Sequence, residues 1–151
     1  MVRFGGKTWL ELLYGGIEAE YLKAELDTYW IAAGGGDPAA YIRKYPNRQP
    51  LLHFKDMIIV GVAERELRFA PIGEGNLNWP AVIDAAREAK AEFVLVEQDN
   101  CYGGDPFEAL ATSHRNLKAM GLQSSPHRQR HAEHTGPGPR DSRARTPWRW
   151  A

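Results

Sequence analysis

Between Lys7 and Leu122 the hydrophobic positions follow two rhythms, short near-continuous runs and stretches spaced three to four apart, and the two take turns along the chain. Thr8 and Glu11 have capping-box spacing ahead of WLELLY, which predicts a short helix ended near Gly15-Gly16. Leu22 to Asp27 reads as a strand whose last residue is a charge. Asp37-Pro38 is an N-cap followed by a first-turn proline, and it opens a helix over AAYIRKY that Pro46 stops. Leu51 to Lys55 is the next strand. Asn78, with Pro80 in the first turn, caps a helix through AVIDAAREAKA that is apolar at Val82, Ile83, Ala86 and Ala89. Phe93 to Glu97, FVLVE, reads as a parallel strand covered on both faces. Asp105-Pro106 then repeats the cap-and-proline device with Glu108 at box spacing, and that helix runs to Gly121.

Strand, helix, strand, helix, strand, helix implies right-handed parallel crossovers and an α/β protein. One connection is out of scale. Residues 56 to 78 join a strand to a helix through 23 residues, where two to six or so are usual. Within them, MIIVGVAERELRFAPIG alternates well enough for a β-hairpin, Ile58 to Val62 against Leu67 to Ile72. An insertion of that length points to an active-site loop.

Composition divides the chain in two. Residues 1–122 carry 13 Lys+Arg against 17 Asp+Glu, a net charge of −4, whereas 123–151 carry six Arg against Glu133 and Asp141, a net of +4. The second segment has four prolines and no Ile, Val, Leu, Phe or Met, too little apolar surface to offset the entropy of ordering, so residues 123–151 read as a disordered basic tail. Its abrupt change of composition after a finished helix also fits sequence foreign to the fold, such as read-through in a shifted frame. The single cysteine, Cys101, excludes an intrachain disulfide and a multi-cysteine zinc cluster. No apolar run approaches the roughly 20 residues of a membrane span and no signal-peptide pattern opens the chain, which makes the expected location cytoplasmic.

The polar residues gather at equivalent places. Asp27 ends the first strand, His53 with Lys55 and Asp56 the second, and Glu97 with Asp99 the third, all at carboxyl ends, where parallel α/β folds bind ligands. Each alone has a plainer reading: Asp27 as a cap, His53 as a hydrogen-bonded core histidine, Glu97 as the partner of a Lys or Arg. Repeated on three successive strands, Asp, His and Glu make a candidate site for a divalent cation, Mn2+, Mg2+, Co2+ or Zn2+.

The blocks LDTYW, DPAAYIRKYPNRQPLLHFKDM, IGEGNLNWPAVIDAA and FVLVEQDNCYGGDPFEALATSHRNLKAMG, in that order over residues 4 to 122, resemble the sugar phosphate isomerase/epimerase family, whose fold is the xylose-isomerase-like TIM barrel. The resemblance implies that Asp27, His53 and Glu97 are metal ligands. It also implies that Glu97 is catalytic, moving a proton through an enediolate, and that Tyr29, Trp30, Lys55, Asp56 and Asp99 meet the sugar or orient His53. GEGNLNW, with Glu74, Gly75 and Trp79, resembles the family's loop before a helix and reads equally as a tight turn and cap. A full barrel needs eight strands and about 250 residues. The expectation is therefore a partial (β/α)8 barrel, about three C-terminal βα units with a preceding helix over residues 1–122, with an incomplete site and little activity alone. Its open sheet edge invites self-association. A dehydratase of a sugar-like acid on the same fold, or a non-catalytic remnant, are the alternatives; a zinc-cluster endonuclease needs more histidines than His53 and His114.

Other features carry less. Gly34-Gly35-Gly36 lacks the Lys-Ser/Thr pair of a phosphate loop. His127, His131 and His134 lie in the arginine-rich tail without a folded platform, and its six Arg would give only weak, salt-sensitive, sequence-blind attraction to nucleic acid.

Overall fold

The computed structural model describes residues 2–124 and 149–150, with side chains through Leu122. A two-stranded ladder of β1 (Arg3–Phe4) and β2 (Lys7–Thr8) leads into α1 (Trp9–Gly16), where Thr8 and Glu11 form the full reciprocal capping box. The strand expected from Leu22 is shorter, β3 (Glu25–Asp27), because Tyr21 and Leu22 donate back to Glu18 in a turn. Directly after it comes α2 (Thr28–Ala33), a six-residue helix that the pattern did not announce, capped by Asp27. The next helix, α3 (Pro38–Lys44), starts where Asp37 Oδ1 accepts from the N–H groups of Ala39 and Ala40.

Then follow β4 (Leu51–Phe54) and, after Lys55 alone, the hairpin of β5 (Asp56–Val60) and β6 (Glu66–Ala70). The hairpin lies within the long connection, but begins two residues earlier than its alternation indicates, because Asp56 itself pairs with Ala70. At its turn Gly61 has φ +84°, and a Cβ there would meet the Glu64 carbonyl oxygen at 2.2 Å, so only glycine closes it. Asn78 caps α4 (Trp79–Glu88), which precedes β7 (Phe93–Val96). Asp105 caps α5 (Pro106–Ala119); the box expected with Glu108 is replaced by a Glu108–Arg115 pair. Two-residue strands β8 (Gln123–Ser124) and β9 (Arg149–Trp150) complete the elements.

The central sheet runs β3-β4-β7-β9-β8, with every pairing parallel. Its register aligns Leu26, Leu52 and Val94 across three strands and, one residue on, Asp27, His53 and Leu95. Because successive side chains point to opposite faces, the first row enters the core and the second does not. Leu26, Leu52, Phe54 and Val94 form one cluster with helix residues such as Ile42, Val82, Ala86 and Leu117. Leu52 and Phe54 are fully buried, worth roughly 1.5–3 kcal/mol each.

The expectation that FVLVE is covered on both faces is corrected: Val94 is buried, but Phe93 is exposed, and Leu95 and Val96 are half-buried. Helices cover one face only, among the described residues. Exposed helix pairs tie the layer together, Arg43 of α3 to Glu88 of α4 at 2.6 Å and Lys44 of α3 to Glu11 of α1. No helix among the described residues is long and apolar enough to cross a membrane. The expectation of disorder over 123–151 lies, for residues 125–148 and 151, outside the described residues; its two described ends form β8 and β9.

Candidate metal centre

Three adjacent parallel strands end together, and their last polar residues meet. Asp27 and His53 are cross-strand partners at the ends of β3 and β4. Glu97 follows β7 directly and donates its N–H to the Phe54 carbonyl at 3.2 Å. A ligand atom from each of Asp27, His53 and Glu97 lies within 4.8 Å of the others. His53 Nδ1 faces both carboxylates, 3.7 Å from Asp27 Oδ2 and 3.4 Å from Glu97 Oε2. The other ring nitrogen, Nε2, is 3.5 Å from Glu25 Oε1.

Lys55 closes the cluster. Its side chain is only 4% exposed, and Nζ lies 3.4 Å from Asp27 Oδ2, 3.0 Å from Glu97 Oε2 and 3.1 Å from Asp99 Oδ1. Burial works against its charge, but hydrogen bonds to Glu97 and Asp99 and the charge of Asp27 prevail and hold its pKa above the ordinary lysine value. It is therefore an ammonium near neutral pH. Thr28 fixes the backbone here: its hydroxyl donates to the Lys55 carbonyl at 2.8 Å and accepts from the Lys55 N–H at 2.9 Å. Glu25, Asp27, Glu97 and Asp99 thus surround one ammonium and one imidazole. That excess of negative charge, with an imidazole nitrogen and two carboxylates converging, fits a divalent cation.

The other expected site residues fall in different places. Asp56 is fully buried and turned away from His53: its oxygens accept from Trp79 Nε1 at 2.7 Å and from the N–H groups of Met57, Gly73, Gly75 and Leu77. A carboxylate without exposed surface cannot touch a substrate, so the expectation for Asp56 is corrected to anchoring the loop before α4. Glu74 and Trp79 belong to that loop, Glu74 accepting from Asn116 and Trp79 buried against Phe54. Tyr29 is buried and stacked on Phe69 at 4.3 Å, whereas Trp30 is 57% exposed with its ring 4.9 Å from Tyr29. Burial, with Tyr102 and Asp99 adding, pushes the Tyr29 phenol above its ordinary pKa. Cys101 is half-buried, its sulfur 3.5 Å from Gln98 Nε2.

Three residues of the site escape the sequence reading. Glu25 is legible by period two from Asp27, on the same face. Thr28 carries the weaker signal of a hydroxyl beside a strand-terminal acid. Phe69, 5.6 Å from Lys55 Nζ, comes from the hairpin and has no local signal. It also lines a cleft of about 470 Å3 between the hairpin and the start of α5, together with Gln98, Tyr102 and Glu108.

No family model and no curated protein matches the chain. Among solved structures, the crystal structure of a sugar phosphate isomerase/epimerase from Parabacteroides distasonis matches with a TM-score of 0.61 and 29% sequence identity, over 79% of this chain. The resemblance carried by the sequence blocks is thus present in three dimensions, as a partial match to one solved sugar phosphate isomerase/epimerase. The chain spans 38% of the length of that solved structure.

Proposed function

We propose that this chain carries the metal-binding strand ends of a sugar or sugar phosphate isomerase/epimerase built on a (β/α)8 barrel. The observation that carries this reading is the convergence of Asp27, His53 and Glu97 from three adjacent strands within 4.8 Å. A strand-helix order that resembles a sugar phosphate isomerase/epimerase supports it. Asp27, His53 and Glu97 would hold the ion, and Mn2+, Mg2+, Co2+ and Zn2+ all suit the donors. When bound, the ion supplies Lewis acidity toward a carbonyl and its neighbouring hydroxyl.

The chain's own residues do the rest. Glu97, with 45% of its side chain exposed, can take the proton from the carbon beside the carbonyl and return it to the former carbonyl carbon, while the neighbouring hydroxyl's proton passes to the former carbonyl oxygen, which is isomerisation through an enediolate. The exposed ring of Trp30 would give the sugar's carbon face an apolar wall. Three βα units are fewer than the eight of a barrel. The chain alone is accordingly expected to show little turnover.

Thermal melting with added Mn2+ tests the reading. Binding at a hundredfold excess over Kd stabilises a folded protein by about 2.7 kcal/mol, so the melting temperature rises with Mn2+ and ceases to rise in Asp27→Ala and Glu97→Ala. No shift at millimolar Mn2+, or a shift that survives both substitutions, contradicts it.

A further inference from the structure

The two oxygens that face the imidazole are the same two that face the ammonium. Asp27 Oδ2 is 3.7 Å from His53 Nδ1 and 3.4 Å from Lys55 Nζ. Glu97 Oε2 is 3.4 Å from Nδ1 and 3.0 Å from Nζ. A divalent ion that gathered Nδ1 with this pair would draw on the anions Lys55 already holds, and two cations at contact distance repel. With its side chain 4% exposed, the ammonium cannot retreat into solvent. Among the described residues it has one other acceptor: both oxygens of Asp99 lie 3.1 Å from Nζ, and Asp99 is outside the three-residue ligand set. The Phe69 ring, 5.6 Å from Nζ, adds a face that favours the cation without competing for its hydrogen bonds.

We propose that Lys55 is a tethered counter-cation of this centre, which keeps Asp27 and Glu97 together and releases them to a divalent ion by shifting wholly onto Asp99. The proposal rests on the metal-centre reading above. It makes Lys55 a brake on metal affinity, with Asp99 as the release, instead of a direct support of the ligands. The two residues then act as one device, so their effects on metal binding are coupled.

Mn2+ binding to the full chain, read from the loss of the free-ion paramagnetic resonance signal, tests this in wild type, Lys55→Met, Asp99→Asn and the double variant. Lys55→Met is expected to bind Mn2+ about tenfold tighter, since a cation is removed from beside the ion. Asp99→Asn is expected to bind about tenfold weaker, an effect that largely disappears in the double variant. Lys55→Gln, which keeps a polar end, is held to the same expectation as Lys55→Met should the latter fold poorly. Mn2+ binding that both Lys55 variants leave unchanged or weaken overturns the role of Lys55 and leaves the metal centre standing. Absence of Mn2+ binding in wild type and every variant overturns the metal centre and this proposal together.

Discussion

Asp27 divides its carboxylate between two tasks. Oδ1 accepts from the Trp30 N–H at 3.0 Å and so caps α2, while Oδ2 faces His53 and Lys55. One oxygen therefore serves the plain role of a strand-terminal Asp as a cap, and the other is left facing the cluster for which a ligand role is proposed. Asn caps as well as Asp but offers a neutral donor set, so Asp27→Asn should change unfolding free energy by less than about 1 kcal/mol while removing Mn2+ stabilisation. Asp27→Ala should lose the metal effect and, in addition, about 1 kcal/mol of helix capping. Chemical denaturation with and without Mn2+ separates the two. Glu11 has a similar double use, accepting from Thr8 N–H and from Lys44. The Lys44 hydrogen bond, then that of Thr8, brings its pKa from 4.5 to about 2. A folded value below the unfolded one means that this stability is complete above about pH 4.5 and is lost as pH falls toward 2. The difference in melting temperature between wild type and Glu11→Gln should hold steady from neutral pH to about 5 and shrink below it.

Elements whose ends carry chemical markers were legible, and those defined by distant partners were not. Thr8, Asp37, Asn78 and Asp105 each cap the helix that the sequence indicates, because a cap needs only residues within three positions. Six-residue α2 is too short for a periodic signal, and it exists because Asp27 caps it and Thr28 joins it to β4. The hairpin could be read from its alternation, but its register depends on Asp56, whose burial is set by donors 17 to 23 residues further on. That coupling makes the loop before α4 a rigid unit. A Cβ on Gly75 would stand 2.4 Å from Asp56 Oδ1 and 2.5 Å from the Met57 carbonyl oxygen. Gly75→Ala should therefore cost more than about 2 kcal/mol in urea unfolding, since two fixed polar atoms must move. A smaller loss would mean that the Asp56 hub yields easily.

Across the molecule, one face of the parallel sheet is packed by helices and the other presents Glu25, Asp27 and His53. The sequence reading places three acids and bases at strand ends correctly, since each follows an apolar run. The sequence also puts Lys55 at the second strand end, but not its place between Asp27, Glu97 and Asp99, because those contacts come from the ends of two other strands. Likeness to a sugar phosphate isomerase/epimerase extends over 38% of that protein, and the Asp27, His53 and Glu97 group that could hold a metal lies on these strands. Calorimetric titration of Mn2+ into the chain is the most direct measurement of whether Asp27, His53 and Glu97 act as one centre. One ion should bind per chain, and binding should fall at least about tenfold in each of Asp27→Asn, His53→Gln and Glu97→Gln. Binding that persists unchanged in any two of these variants, or no binding by wild type, would contradict a shared centre.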